Sequence, residues 1–170
     1  MLKRRQWFEF CDQPWLEGWM RDAFLDCLSF VHRIYQPYYH LAPLIAQWAG
    51  CRESQVLDLA SGSGEQVAML IRAAEMQNAE VPLFILSDLY PSPAGWKTLQ
   101  EELGQDSLYY LDRPLSALNV PHELPRWWSI FTAFHHFPAP VARRLLEEFV
   151  VKGDGLCIIE NQKRRWLDMV

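Results

Sequence analysis

Short apolar runs recur along the chain from residue 55 onward, separated by stretches in which apolar side chains return every three or four positions. The runs Gln55–Leu59, Leu83–Asp88, Leu108–Leu111, Trp128–Phe134 and Gly155–Glu160 read as strands. Several are almost wholly apolar, as strands of a parallel sheet are when helices cover both faces. Between them, Glu65–Gln77 places Val67, Leu70, Ile71 and Ala74 on one helical face. Ser92 and Pro93 look like an N-cap and first helical residue opening a helix to Leu103. Pro140 opens another through Phe149, closed by Lys152 and Gly153. This alternation predicts an α/β fold built on a mostly parallel sheet of about five strands with helices on both faces.

Residues 1–54 break the alternation. Two or three helical segments, over Pro14–Leu28, Phe30–Tyr35 and Leu41–Gly50, rich in aromatic side chains, precede the first strand. The expected organisation is a helical cap over 1–54 followed by a core over 55–170, with Gly50–Ser54 too short to be a flexible linker. A chain of 170 residues suits one domain with one sizeable core.

Composition narrows the function classes. The formal charge of −5 leaves no general basic footprint for phosphate backbones, so nucleic acid is not an expected partner. Lys3-Arg4-Arg5 and Lys163-Arg164-Arg165 are the only basic clusters, one near each end, and read as solvated termini. Cys11, Cys27, Cys51 and Cys157 form no Cys-x-x-Cys pair, which argues against a zinc site and for reduced thiols in the cytoplasm. Glu9 and Asp12 interrupt what would otherwise follow the basic start of a signal peptide. Ile34–Cys51 lacks formal charge over 18 residues but contains Gln36, Pro37, His40, Pro43 and Gln47, so no membrane span is expected.

The chemistry concentrates at strand ends. In Val-Leu-Asp-Leu-Ala-Ser-Gly-Ser-Gly-Glu, an apolar strand ends in Asp58 and passes through Gly62 and Gly64 into the helix beginning near Glu65, which places this acid at a strand tip. Glycines there allow positive φ and close approach of a ligand, and the helix start offers N–H groups. A plain βα turn needs the same residues. A dinucleotide fingerprint would require glycine at position 67, where Val67 stands, and no evident Tyr-x-x-x-Lys pair accompanies it, which disfavours a nicotinamide-dependent oxidoreductase. The second acid, Asp88, ends an apolar run 24 residues after Gly64. It can accept both ribose hydroxyls of a nucleoside or cap the turn Tyr90-Pro91-Ser92. A third segment, Phe131-Thr132-Ala133-Phe134-His135-His136-Phe137-Pro138, ends the fourth candidate strand. In an extended segment its two histidines point to opposite sides, a poor metal pair, so no metal site is expected. One could remove a proton at neutral pH; equally, both could be hydrogen-bonded turn residues.

In order and spacing these segments resemble class I S-adenosylmethionine-dependent methyltransferases, over roughly Gln55 to Glu160. Asp58 followed by Ala60, Gly62 and Gly64 is similar to their first motif, with Ala60 in place of the first glycine. The resemblance implies a Rossmann-like sheet of order 3-2-1-4-5, S-adenosylmethionine as cofactor and methyl transfer to a small-molecule or lipid-like acceptor. It implies cofactor contacts from Asp58, Ala60, Ser61, Gly62, Gly64, Asp88 and Leu89, from Ser116 and Ala117 beside the adenine, and from Thr132 and Phe134 at the methionine end. Family members often carry Asp where Ser116 stands, and Asp112 is a substitute. His135 is the candidate base. Trp7, Phe8, Phe10, Trp15, Trp19 and Tyr38 are expected either to fold over the cofactor or to pack in the core. The family's sheet continues into a final strand pair, for which too few residues follow Glu160, so Gly155–Glu160 is expected to form an open edge. Self-association, coverage by the N-terminal helices, or a truncated natural product would each account for that. The competing function is a methyltransferase-fold binding or scaffold protein without catalysis.

Overall fold

The computed structural model describes residues 13, 15–35, 38–49 and 54–160. Helices α1 (Gly18–Tyr35) and α2 (Ala42–Ala49), with a 3₁₀ turn at Tyr39–Leu41 between them, precede the sheet. The core then runs β1 (Gln55–Leu59), α3 (Glu65–Met76), β2 (Leu83–Ser87), α4 (Pro93–Leu103), β3 (Leu108–Tyr110), β4 (Trp127–Phe131), a 3₁₀ turn at Phe134–His136, α5 (Ala139–Lys152) and β5 (Gly155–Ile159).

All four strand pairings are parallel and the order is β3-β2-β1-β4-β5, as expected. The chain steps outward from β1 to β3, then returns to the other side of β1 for β4 and β5. Because parallel crossovers are right-handed, that reversal moves the connecting helix to the opposite face. Val67, Leu70, Ile71, Trp96 and Leu99 from α3 and α4 bury one face with Ala42 and Ile45 of α2. Leu145 of α5 and the loop residues Ala117 and Val120 bury the other, against Leu57, Leu59, Trp128 and Ile130. Alternation of side chains along each strand divides the two sets.

Two element readings differ from expectation. Phe30–Tyr35 is not a separate helix: α1 continues unbroken from Gly18 to Tyr35, since no Gly or Pro interrupts it. The expected start at Pro14 and end at Gly50 lie on positions outside the described residues. The fourth strand stops at Phe131 rather than Phe134, because Thr132 adopts φ 53 and turns the chain into the 3₁₀ turn. Among the described residues β5 pairs only with β4 and all five of its residues are half-buried, so its outer edge is open. No described helix is long and apolar enough to cross a membrane.

Candidate functional site

The glycine turn is stitched to the end of β2. After β1, Ala60 turns at φ 56, and the Ser61 hydroxyl donates to the Asp58 carbonyl at 2.9 Å. The Ser87 hydroxyl donates to that same carbonyl at 2.7 Å, while the Ser87 N–H donates to Ser61 Oγ at 3.0 Å. Trp96 of α4 donates its indole N–H to the Gly62 carbonyl at 3.0 Å. Gly64, at φ 78, caps α3, and a Cβ there would lie 2.6 Å from Leu86 Cδ1. Only glycine fits both that conformation and that approach.

The two acids are placed differently. Asp88 is the first residue beyond β2 and half-buried. Its carboxylate accepts the Gly62 N–H at 2.9 Å and the Tyr90 N–H at 2.8 Å, so it both braces the glycine turn and caps its own. Asp58 does not sit at a strand tip: it lies within β1, is buried, and accepts the Ser129 hydroxyl on Oδ1 at 2.6 Å. Burial raises its pKa to about 7; hydrogen bonds from Ser129 and Ser61 pull the other way, and the negative charge of Asp88 adds to the rise.

At the tip of β4, Thr132 donates its N–H to the Ile159 carbonyl at 2.7 Å and shares a hydrogen bond with the Tyr38 hydroxyl at 2.5 Å. Tyr38 is buried, and that burial lifts its phenol pKa to about 12. Phe134, His135 and His136 then wind through a 3₁₀ turn. The expectation of an extended pair of histidines pointing apart is therefore corrected: a 3₁₀ turn rotates successive residues by a third of a revolution, and the two rings lie 4.4 Å apart. His135 is clamped by Glu160, its N–H donating to Oε1 at 3.1 Å and its Nδ1 meeting Oε2 at 2.8 Å.

Ser116 turns inward on its own loop, accepting the Leu118 N–H on Oγ at 3.3 Å, and Ala117 beside it is buried. The preceding Leu115 N–H donates to the Asp88 carbonyl at 2.8 Å, so this loop is tied to the end of β2. Leu89 is exposed, whereas Asp112 lies in the turn after β3 and is exposed too. Helix α1 lies across the opening: Leu25 Cδ2 is 3.4 Å from where a Gly62 Cβ would stand, and the Arg21 guanidinium sits 4.2 Å from the centre of the Tyr90 ring.

Against known structures, the chain aligns with an O-methyltransferase family protein from Burkholderia thailandensis at 21% identity and TM-score 0.58, over 82% of this chain and 40% of that one. With the mitomycin 7-O-methyltransferase MmcR the TM-score is 0.61 at 16% identity, over 88% of this chain and 42% of that one. The chain has their Rossmann-like fold. It spans about two fifths of the length of either protein. No family model matches the sequence, and no curated protein does.

Within that fold, hydrogen bonds join Gly62 to Asp88 and Asp88 to the loop leading into Ser116, which gathers three separate sequence signals at the ends of β1 and β2. Thr132 and Phe134 stand at the end of the neighbouring β4. Two described cavities, about 350 Å³ beside Tyr39, Met69 and Arg72 and about 700 Å³ beside Phe134 and α5, include neither Gly62 nor Asp88. Of the N-terminal aromatics, Tyr38 is buried, whereas Trp15 and Trp19 are 61% and 68% exposed. Trp7, Phe8 and Phe10 lie outside the described residues. Sequence reasoning missed Ser129, Ser87, Trp96 and the pairing of Glu160 with His135. The only advance signal for any of them was Ser129 as the lone polar residue in an apolar run.

Proposed function

We propose that this chain is an S-adenosylmethionine-dependent methyltransferase acting on a small-molecule or lipid-like acceptor. One observation carries the reading: the Gly62 N–H is held by the Asp88 carboxylate beside the point where strand order reverses, the place at which open α/β sheets bind their ligands. The residues suit the cofactor. A carboxylate at the end of β2 carries the acceptor oxygens that ribose hydroxyls need. Ala60 to Gly64 present main chain instead of bulky side chains, and the Ser116–Ala117 loop is moored to Asp88 beside them.

Bound there, S-adenosylmethionine supplies a methyl group already activated by its sulfonium. The chain's own work is to orient, to exclude water and to manage one proton. Against a carboxylate, which only accepts, His135 is the Nδ1–H tautomer, which makes Nε2 its basic nitrogen. His135 would take the acceptor's proton there, with Glu160 fixing the orientation of the ring.

The test compares S-adenosylhomocysteine with NADH in thermal unfolding, alongside mass spectrometry of the purified protein for co-purifying cofactor. S-adenosylhomocysteine at about a hundred times its Kd stabilises by about 2.7 kcal/mol, and Asp88→Ala should abolish the shift while the protein stays folded. Stabilisation by NADH alone would overturn the reading. The second reading, a binding or scaffold protein without catalysis, is favoured by Ala60 and Ser116, which stand where the resembled family carries glycine and often aspartate. It predicts binding without turnover of labelled S-adenosylmethionine. Self-association through the open β5 edge belongs to the same proposal: sedimentation should show a species heavier than the 20.0 kDa chain, lost on Ile158→Lys.

A further inference from the structure

Two non-glycine residues at the C-terminal ends of the strands adopt left-handed backbone, Ala60 at φ 56 and Thr132 at φ 53. They occupy matching places, each the first residue beyond its strand, on β1 and β4, the neighbours between which strand order reverses. The third such residue, Asn78, follows α3 and is of a type that tolerates this conformation. Threonine is not. A β-branched side chain at positive φ is strained and persists only where its surroundings dictate it.

Those surroundings are visible. The Thr132 N–H is anchored to Ile159 of β5 at 2.7 Å, and its hydroxyl to Tyr38 at 2.5 Å. Tyr38 comes from the segment before the sheet, 94 positions away, and packs edge-on against Phe131 with ring centres 5.9 Å apart. If structure alone were at stake, glycine at 132 would make the bend without strain, as at Gly62 and Gly64. Threonine adds the one group that Tyr38 can hold. The bend also has a consequence downstream: it ends β4 and starts the 3₁₀ turn in which His135 meets Glu160.

We propose that Tyr38 is a positioning residue which, through the Thr132 hydroxyl, fixes the left-handed bend at the tip of β4 and thereby sets the placement of His135 and of the main chain facing the cofactor's methionine end. The inference rests on the S-adenosylmethionine reading for its functional readout but not for its structural one.

Three measurements test it. In cofactor-free protein, Tyr38→Phe keeps the ring and removes only the hydroxyl; the NMR amide signals of Thr132, Ala133 and His135 should shift, and Thr132→Val should shift the same set while Thr132→Ser leaves it near wild type. Thr132→Gly, which makes the bend without strain but leaves Tyr38 without the hydroxyl it holds, should bind S-adenosylhomocysteine about tenfold more weakly, a loss of about 1.4 kcal/mol. In turnover Tyr38→Phe should lower kcat more than it raises KM. Unchanged amide signals in both Tyr38→Phe and Thr132→Val overturn the proposal whatever the protein binds. So does a Thr132→Gly protein that binds S-adenosylhomocysteine as wild type does. If wild type binds no S-adenosylhomocysteine, the function proposed above falls, and the amide signals alone decide the role of Tyr38.

Discussion

Ala60 carries a methyl group into a backbone conformation that ordinarily belongs to glycine, φ 56 at the exit of a buried strand. A left-handed non-glycine residue costs about 1–2 kcal/mol, and removing the methyl also loosens the unfolded chain, which offsets part of the gain. Ala60→Gly should therefore stabilise by up to about 1 kcal/mol, a rise in Tm of roughly 2–4 °C for a chain of this size, checked by calorimetry. Gly64→Ala should do the opposite and more strongly. Its Cβ would stand 2.6 Å from Leu86 Cδ1 and 3.2 Å from Leu99 Cδ1 and Trp96 Cδ1, at φ 78. Overpacking of that kind costs about 1–3 kcal/mol before backbone strain is added, so a loss of at least about 2 kcal/mol in urea unfolding is expected. At this scale the sequence was informative where the backbone itself imposed the residue: Gly62, Gly64 and the acid at 88 stand out because few other residues serve there. Ser129 against Asp58, 71 positions apart, was not legible, since that pairing exists only once the register of β1 on β4 is set.

Helix α3 is joined to α4 by an ion-pair relay whose members are buried to different degrees. Arg72 reaches Glu65, at the first turn of α3, at 2.8 Å and Glu102 of α4 at 2.8 Å. The Glu65 side chain is 3% exposed and that of Glu102 is 50% exposed. Removing the cation takes its charged partner among the described residues from a buried carboxylate, a change worth several kcal/mol in general, reduced here because Glu65 sits at a helix N-terminus, where negative charge is favoured. Arg72→Ala should cost about 2–3 kcal/mol, whereas Glu102→Ala, at a solvent-screened contact, should cost less than about 1 kcal/mol. Equal losses from the two changes, measured by chemical denaturation, would show that burial of Glu65 does not govern the relay. Elements themselves were read well from apolar periodicity, with α3 and β1 falling where their patterns place them. The misreadings arose where the pattern continued but the backbone did not, as at Phe131 to Phe134, and at the break set between Leu28 and Phe30, where α1 is continuous.

The strand order was expected from resemblance, but what it creates for the molecule as a whole could be seen only after folding: a single buried carboxyl at the centre of the sheet. Asp58 lies on β1, its register partner Ser129 on β4, and Ser129's partner Cys157 on β5. Its influence extends over that face: its negative charge adds to the rise that burial gives the Cys157 thiol, whose pKa reaches about 11, and to the rise at Tyr38. Burial lifts the Asp58 pKa from 3.8 to about 7, so between those values the folded protein binds a proton that the unfolded chain has already released. The sign follows. Stability from the protonated carboxyl is fully present below about pH 4 and is lost as pH rises through about 7. Each tenfold difference in proton affinity is worth about 1.4 kcal/mol, so the loss from this group amounts to at most about 4 kcal/mol. Asp58→Asn keeps an oxygen to accept the Ser129 hydroxyl and removes the ionisation. Urea unfolding should find the variant close to wild type at or below about pH 4 and progressively more stable than wild type as pH rises to 8. A difference that stays constant across that range would mean the carboxyl is charged throughout and is solvated or paired inside the sheet. A ligand carrying positive charge near Asp58 would reverse the balance by favouring the carboxylate, so wild-type protein should bind S-adenosylmethionine better at pH 8 than at pH 6 relative to S-adenosylhomocysteine, whose sulfur is uncharged. The Asp58→Asn protein should lose that preference, a comparison that isothermal calorimetry at the two pH values makes directly.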